Sequence, residues 1–345
     1  MSRVIIVGAG INGLTAAIEL KKRGHRVVLL DPGPLPHPLA ASTDISKAIR
    51  TAYGADEEYA ALADRSIPLW REWNREFGTE LYHEVGFLFL RRQEMQPGDF
   101  EFESLRVLEQ HGRKVERVDS TTLHERFPAW NAERYCDGFL ERRAGYVESG
   151  RAIALLIERA KSLGVVLRES VRFSQLDEDD DRLKGIVLDD GKRIAGDLVV
   201  MTAGAWTPYA LPFTRKFFRA TGQPVFHLRP SQPELFTSER FPVFGADIST
   251  TGYYGFPLTR EGVVKIANHG PGREMSPESP DRAVTPQEEK DLREFLSGTF
   301  PTLVDAPIVY TRICLYCDTN DGHFWIARDP EREGLVIAAG DCGHG

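Results

Sequence analysis

The sequence predicts an α/β fold, with one domain built on a parallel sheet and a second, α+β domain interleaved with it. Three features indicate this arrangement. A short apolar run near the start is followed by a glycine-rich turn, a helical pattern and another apolar run. Apolar strands followed by glycine-rich turns occur again in the middle and at the end of the chain. The segments between them have helix and strand patterns of their own, which indicates a second domain.

The opening segment has the order of a dinucleotide-binding βαβ unit. Its parts are the apolar run Val4–Val7, the turn Gly8-Ala9-Gly10-Ile11-Asn12-Gly13, a helical pattern over Leu14–Arg23 and the apolar run Val27–Leu30. Asp31 follows at about the position from which an acid contacts ribose hydroxyls in such units. A glycine motif with these neighbours on both sides predicts a Rossmann-like domain, whereas a chance match has no reason to carry them.

The three glycines of this turn have different physical roles. Gly8 permits the tight turn, Gly10 lets a pyrophosphate approach the backbone, and Gly13 lets the helix pack closely on the strand. The helix N-terminus offers unpaired N–H groups and the positive end of its dipole to the phosphates.

Composition and charge limit the classes of protein to which this chain can belong. The 345 residues are 41% hydrophobic and 27% charged, which is ordinary for a globular chain long enough for two domains. The net charge of −8 argues against a nucleic-acid surface. No apolar run approaches the roughly 20 residues that span a bilayer, and the first run is too short for a signal peptide. We therefore expect a cytoplasmic protein that binds neither nucleic acid nor membrane.

The later elements predict a discontinuous nucleotide-binding domain. A loop is expected at Pro32–Pro38, helices at 56–78 and Arg151–Leu163, and strands at 85–91, 165–168, 171–176, 183–188 and 192–194. Two further strands lead into glycine-rich turns: Asp197–Thr202 before Gly204-Ala205-Trp206, and Leu335–Ala339 before Gly340–Gly345. If these turns meet at one ligand, residues 1–80, 145–210 and 310–345 form the nucleotide-binding domain. Residues 81–144 and 211–309 then form a substrate-binding domain on a mixed or antiparallel sheet.

The cysteines do not indicate a metal or disulfide framework. Four cysteines are too few for a disulfide scaffold in a chain of this length. Cys314 and Cys317 have the spacing of a redox or zinc-binding pair, but the sequence has no second such pair. We therefore expect no metal site.

Five segments together resemble one known enzyme family. They are the opening glycine motif; Ser42–Gly54; Gly252–Pro257 with Val264–Ile266; Cys314–Tyr316 with Asp321–Phe324; and Gly343–Gly345. Their order and spacing resemble the flavin-dependent amine oxidases of the D-amino-acid-oxidase superfamily, in the branch of monomeric sarcosine oxidase, pipecolate oxidase and N-methyltryptophan oxidase. The resemblance spans the whole chain. It implies FAD, often attached to a cysteine, and oxidation of a secondary amine with O2 as electron acceptor.

The resemblance and the glycine motif assign the cofactor-binding residues. These are Gly8, Gly10, Gly13, Asp31, Ser42, Thr43, Gly204, Trp206, Cys314, Gly343 and Gly345. Cys314 is implied as the residue that carries the flavin thioether; its simpler alternative is a small buried hydrophobe. A positive field keeps a thiol ionised, and Arg312 supplies one if it points the same way along the strand.

Arg50 and Lys47 are the expected cations of the active site. A guanidinium binds a carboxylate through two parallel hydrogen bonds, and the resemblance implies that Arg50 holds the substrate carboxylate. The alternative is a surface arginine paired with Asp56 or Glu57. Lys47 is expected one helical turn before Arg50, facing the same way. Sarcosine oxidases usually have arginine at this place, and lysine is more similar to the oxidases of sugar amines (Amadori products).

The remaining candidate catalytic residues are Lys265, His269, Tyr254 and Tyr316. By resemblance, Lys265 is the cation near the flavin that aids electron transfer to O2, and the alternative is a solvent-facing lysine on an edge strand. His269 is expected to line the substrate side, unless it is an ordinary loop histidine. The tyrosines are expected to enclose the amine nitrogen, with plain packing as the alternative.

The function expected is flavin-dependent oxidation of a secondary amine or N-substituted amino acid to an imine, with release of H2O2. Sarcosine-like compounds, cyclic imino acids and fructosyl amino acids all remain open as substrates. A flavin dehydrogenase with another acceptor, a nicotinamide-dependent dehydrogenase and a non-catalytic nucleotide-binding protein are the alternatives. The oligomeric state is open and a monomer is compatible with the pattern. The family pattern continues after Gly345 with an aromatic residue, a lysine and a helix, so we expect a longer natural chain.

Overall fold

The computed structural model describes residues 1–179 and 182–344. Its strands are β1 (Arg3–Val7), β2 (Arg26–Leu30), β3 (Lys47–Ile49), β4 (Tyr82–His83), β5 (Phe87–Arg91), β6 (Val115–Arg117), β7 (Asp137–Glu141), β8 (Gly145–Val147), β9 (Val166–Arg168), β10 (Phe173–Asp179), β11 (Arg182–Leu188), β12 (Arg193–Ala195), β13 (Leu198–Met201), β14 (Phe218–Leu228), β15 (Val243–Ala246), β16 (Tyr253–Gly255), β17 (Val264–Asn268), β18 (Arg273–Glu274), β19 (Ile308–Thr319), β20 (Trp325–Arg328) and β21 (Leu335–Ala339). Its helices are α1 (Ile11–Lys22), α2 (Glu57–Phe77), α3 (Phe100–Gln110), α4 (Ser120–Arg126), α5 (Ser149–Ser162), α6 (Thr207–Ala210), α7 (Ile248–Thr251) and α8 (Pro286–Thr299).

A mostly parallel sheet with the strand order β20-β21-β13-β1-β2-β9 forms the first layer. Strand β1 pairs in parallel with β2 and β13, and β20 is an antiparallel edge. Helices α1 and α5 cover one face, where Ile6, Leu14 and Ile157 are buried together. Strands buried on both faces have continuous apolar runs, as the sequence has here. The predicted α/β class is confirmed, and the carboxyl ends of β1, β13 and β21 meet at one edge.

The second layer is a larger, mixed sheet with the order β18-β14-β17-β16-β15-β5-β7-β6, in which β19 also pairs with β14. Strands β5 and β15 are parallel, and the other pairs are antiparallel. Aromatic residues form its core, including Trp130, Phe241, Phe244 and Phe300. Strand β19 begins at Ile308, so the segment that carries Cys314 belongs to this sheet. The division into domains stays a prediction.

The helical start predicted at Lys47 and Arg50 is wrong. Lys47–Ile49 form β3, which pairs with β8 in an antiparallel register, Lys47 opposite Val147. The backbone hydrogen bonds of this segment are thus made between strands 100 residues apart, a pairing that local periodicity does not reveal. Arg50 lies just after the strand, in the loop before α2.

Helix α2 begins as predicted. The Asp56 side chain accepts the Tyr59 N–H at 3.1 Å, and Gly78 ends the helix in the left-handed region. In the described ranges, no helix is long and apolar enough to cross a bilayer.

Candidate active site

A cavity of about 640 Å³ lies along the carboxyl ends of the parallel strands, between them and the larger sheet. It brings together most of the residues predicted from the sequence: Gly8, Gly10, Asp31, Ser42, Lys47, Arg50, Gly204, Trp206, Tyr254, His269, Cys314, Tyr316 and Gly343. Of the predicted residues that the structure describes, Gly13, Thr43 and Lys265 are not part of this lining. Gly345 lies outside the described residues.

The glycine turn at one end leaves no room for side chains. Gly8 has a φ of +105°, and a Cβ there would overlap the Thr202 carbonyl oxygen. A Cβ at Gly13 would overlap the Gly8 carbonyl oxygen, because the helix crosses the strand at this point. The backbone is therefore open to a phosphate, and helix α1 begins at Ile11 facing the cavity. These residues fit a dinucleotide.

Asp31 connects the two loops beside this turn. Its carboxylate accepts the Ala9 N–H at 2.9 Å and the Gly33 N–H at 3.0 Å. The side chain is buried and lines the cavity. Each carboxylate oxygen has a second lone pair, so Asp31 can accept a ribose hydroxyl as well.

The loop after Pro38 closes over the first turn of α1. Ser42 Oγ accepts the Ile11 N–H at 3.0 Å, whereas the Thr43 hydroxyl donates to the His37 carbonyl at 2.7 Å. Arg312 donates to the carbonyls of Thr43 and Ala40. Thr43 and Arg312 therefore hold the shape of this loop.

Trp206 forms part of the cavity wall beyond the second glycine turn. Its indole N–H donates to the Glu278 carboxylate at 2.7 Å, and the His37 ring packs edge-on against it at 5.5 Å between centroids. Gly204 begins this turn with a φ of +50°.

Cys314 lies beside Lys47 in the cavity wall. The ammonium of Lys47 lies 3.4 Å from the sulfur, and Cys314 is 2% exposed. Burial by itself disfavours the ammonium, but the facing Cys314 and Asp44 outweigh it and raise the pKa of Lys47. The cation beside the thiol is therefore Lys47, whereas the Arg312 guanidinium donates to a backbone carbonyl of the loop. Cys317 is buried elsewhere, and burial raises the pKa of its thiol.

Lys265 is fully buried, so the solvent-facing alternative is wrong. Its ammonium lies 2.7 Å from Asp44 Oδ2 and donates to the Ser46 carbonyl at 2.5 Å. It also lies over the Phe256 ring, 4.6 Å from the centroid. Burial lowers the pKa of Lys265 to about 8, against the attraction of Asp44. Burial alone would raise the pKa of Asp44, but Lys265 and its other neighbours hold it well below the usual range.

Arg50 lines the same cavity as the glycine turn. Its guanidinium donates to the Ala52 carbonyl and lies over the Tyr53 ring, 4.0 Å from the centroid. Asp56, a partner in the surface alternative, caps α2 instead. The Glu141 carboxylate accepts the N–H groups of Thr51 and Ala52 and so fixes the segment after Arg50.

His269, Tyr254 and Tyr316 line the wall between Arg50 and Cys314. His269 Nδ1 lies 3.5 Å from the Tyr316 hydroxyl. Burial, aided by Arg50 and His344, lowers the pKa of His269 to about 4, so its imidazole is neutral at pH 7. Burial raises the pKa of Tyr254. This wall can accept a hydrogen bond and enclose a cation, but it adds no charge at neutral pH.

Several cavity residues escaped sequence reasoning. An aromatic group formed by Tyr53, Tyr59, Phe324 and His344 lies beside Arg50, with the Tyr53 hydroxyl donating to the His344 carbonyl at 2.9 Å. Asp341 accepts the Cys317 N–H at 2.9 Å, and burial raises its pKa to about 6. Two acids could have been found from the sequence. Asp341 stands within the closing glycine turn, and a buried lysine such as Lys265 needs a nearby anion, which here is Asp44.

A parallel sheet with its nucleotide turn facing a cavity rich in cations and aromatic rings defines a dinucleotide-dependent oxidoreductase. The family model for FAD dependent oxidoreductases, DAO, matches residues 3–345, and the chain belongs to this family.

Relatives span nearly the whole chain. Monomeric sarcosine oxidase of Bacillus sp. (strain B-0618) is 28% identical over 346 residues, covering 99% of this chain and 87% of that protein. L-saccharopine oxidase of Schizosaccharomyces pombe is 26% identical over 381 residues, covering 100% and 86%. Among solved structures, Amadoriase I of Aspergillus fumigatus has a TM-score of 0.83 at 23% identity, covering 100% of this chain and 82% of that one. At this identity the likeness shows the fold.

Proposed function

We propose that this protein is an FAD-dependent oxidase of secondary amines that carry a carboxylate. The observation that carries the proposal is that one cavity is lined both by the glycine turn and by Arg50, whose guanidinium lies over the Tyr53 ring. The family membership and the sarcosine oxidase relatives support it. O2 as acceptor, H2O2 as product, a cytoplasmic location and a monomeric state belong to the same proposal.

The residues that would hold FAD follow from the cavity. The turn at Gly8, Gly10 and Gly13 and the N-terminus of α1 receive the pyrophosphate, and Asp31 receives a ribose hydroxyl. Cys314, with Lys47 beside it, is the proposed point of covalent attachment. When bound, FAD supplies the two-electron redox chemistry.

The substrate is held beside Arg50. Arg50 turns from the Ala52 carbonyl to pair with the carboxylate, through two charge-assisted hydrogen bonds. The amine lies between Tyr254, Tyr316 and the neutral imidazole of His269. A neutral histidine accepts a hydrogen bond from the amine N–H and does not repel a cationic nitrogen. Oxidation to the imine removes two electrons and two protons in total, formally a hydride from carbon and a proton from nitrogen, and the resulting imine is hydrolysed by water.

Lys265 serves the reaction with oxygen. A fixed cation stabilises negative charge that develops on O2 as it accepts electrons. Its burial between Asp44 and the Ser46 carbonyl holds the ammonium in one place.

A second candidate substrate class is the fructosyl amino acids. The lysine at position 47 favours this class, because by resemblance the sugar-amine oxidases tend to have lysine at the corresponding position. Such a substrate has the same secondary amine and carboxylate, with a sugar on the nitrogen. The chemistry of the site is the same for both classes.

The test is a peroxide-release and oxygen-consumption screen of the purified yellow protein. The panel contains sarcosine, L-pipecolate, L-proline, N-methyl-L-tryptophan, saccharopine and fructosyl glycine, with glycine as the primary-amine control. We expect turnover with at least one secondary amino acid, with equal amounts of O2 consumed and H2O2 formed. Substrate-dependent bleaching under nitrogen without any reaction with O2 would instead identify a dehydrogenase, and absence of flavin would contradict the proposal.

A further inference from the structure

A second cavity, of about 490 Å³, lies next to the first. Its wall includes Asp44, Glu148, His227, Glu261, Tyr310 and Arg312. The first cavity is lined by Ser42 and Lys47, and the second by Asp44 and Ile45. The chain segment 43–46 therefore separates the two cavities.

Three side chains from adjacent strands form a row across the larger sheet. Lys265 on β17 is directly opposite His227 on β14, and His227 is directly opposite Tyr310 on β19. Directly opposite residues lie on the same face of a sheet. Their exposed fractions rise along the row, from 0% at Lys265 through 6% at His227 to 51% at Tyr310. The row leads from the buried ammonium to the surface at the second cavity.

Asp44 connects the inner two members of this row. Its Oδ2 lies 2.7 Å from Lys265 Nζ, and its Oδ1 lies 3.6 Å from His227 Nε2. Within the part of the chain that the structure describes, His227 Nε2 is buried without a hydrogen-bond partner. A small rotation of the imidazole or one bridging water closes this gap. The unpaired nitrogen is therefore placed to exchange a proton with Asp44.

We propose that His227 and Asp44 form a relay that returns protons from the second cavity to Lys265. This proposal rests on the proposed oxygen chemistry. Reduction of O2 to H2O2 takes two electrons and two protons, of which the reduced cofactor supplies both electrons and one proton. The second proton comes from Lys265 Nζ. The resulting neutral amine takes a proton through Asp44 from His227, and His227 recovers one from water in the second cavity.

The charges around the relay suit a carboxylate that passes protons without keeping them. Asp44 faces Lys265, His227, Lys47 and Arg312. His227 faces Asp44 and the Tyr310 ring, whose centroid is 4.9 Å away. The second cavity adds the charges of Arg151, Arg312, Glu148 and Glu261 around it. With this balance of cations, Asp44 stays ionised between transfers.

The first experiment measures the two half-reactions of the flavin-loaded protein by stopped-flow absorbance. We expect His227→Gln to slow oxidation by O2 about 100-fold, which is the size of effect that a positioned proton donor contributes. Reduction by the amine should be unchanged. Asp44→Asn should have the same effect. His111→Gln is the matched control, since His111 is exposed at the end of α3, and this variant should react as the parent protein does. Equal oxidation rates in parent and His227→Gln would overturn the relay.

Chemical rescue separates a relay from a structural role. In His227→Ala, added imidazole should restore oxidation in proportion to its concentration, because the small base enters through the second cavity. Lys265→Met should be slow and insensitive to imidazole. If imidazole fails to restore His227→Ala although this variant is slow, His227 has only a structural role and the proposal is wrong.

A measurement without turnover tests the contact itself. In the oxidised protein, the 15N signals of the His227 ring should shift on Asp44→Asn and on Lys265→Met, but not on His111→Gln. Unchanged signals in both variants would contradict the network. The proposed oxygen chemistry fails separately if Lys265→Met oxidises at the parent rate. If Lys265→Met is oxidised slowly by O2 but the His227 variants are oxidised at the parent rate, the relay is refuted and the role of Lys265 in the oxygen reaction stands.

Discussion

The ammonium of Lys47 lies 3.4 Å from the sulfur of Cys314, a residue 267 positions later in the chain. Lys47 opens the short strand β3, and Cys314 lies in the middle of β19. A cation beside a thiol favours the thiolate, which is the form that reacts. In the proposed function, Lys47 prepares Cys314 for covalent attachment of the cofactor.

Replacement of Lys47 by methionine should reduce covalent attachment. Methionine keeps most of the side-chain volume but removes the positive charge beside the Cys314 sulfur. We expect flavin to be released from Lys47→Met on acid precipitation, while the parent protein keeps it. Cys314→Ser should lose attachment completely and Cys317→Ser should retain it. A tryptic peptide with flavin on Cys317 would contradict the assignment.

Loss of the Arg50 guanidinium should weaken binding of substrates that carry a carboxylate. Hydrogen bonds to charged groups are worth about 1.5–3 kcal/mol, so we expect Arg50→Ala to raise KM about 10- to 150-fold. The exposed Arg75 on α2 is the control, and Arg75→Ala should leave KM unchanged. An amine without a carboxylate should bind equally to Arg50→Ala and the parent protein. An equal loss for both kinds of amine would show that Arg50 does not bind the carboxylate.

Reaction with oxygen should slow as the pH rises through about 8. Burial lowers the pKa of Lys265 to about 8, so its ammonium is charged below this pH and neutral above it. Lys47 does not produce this step, because its pKa is raised. Stopped-flow measurement of the rate of oxidation by O2 between pH 6 and about 10 gives the pH profile. Lys265 loses its charge within this range. The step should be absent in Lys265→Met, and an identical step there would assign it to another group.

An alanine at Gly13 should abolish FAD binding. Its Cβ would overlap the Gly8 carbonyl oxygen, which forces α1 away from β1 and opens the turn. We expect purified Gly13→Ala to lack the flavin absorbance and to unfold at lower temperature. Gly191→Ala is the control for backbone strain alone, since Gly191 has a φ of +81° and open space around it. It should lose about 1–2 kcal/mol of stability and keep FAD. Full FAD content in Gly13→Ala would contradict the packing role.

The features predicted correctly are those that depend on neighbours along the chain. The opening strand, glycine turn and helix form from Val4 to Lys22, and helix α2 begins after its Asp56 cap. These patterns reflect local backbone geometry and the burial of apolar residues, which act over a few residues. They were sufficient for the fold class. The candidate catalytic residues came from the resemblance, and the structure brings most of them to one cavity.

Tertiary structure decided which groups touch. The sequence by itself determined that a lysine stands at 265 and an aspartate at 44, but only the docking of the 43–46 segment on β17 places their charges 2.7 Å apart. Likewise, pairing with β8 makes Lys47–Ile49 a strand against the helical expectation. Ion pairs and strand pairing depend on distances between segments far apart in the chain, and a local pattern does not contain those distances.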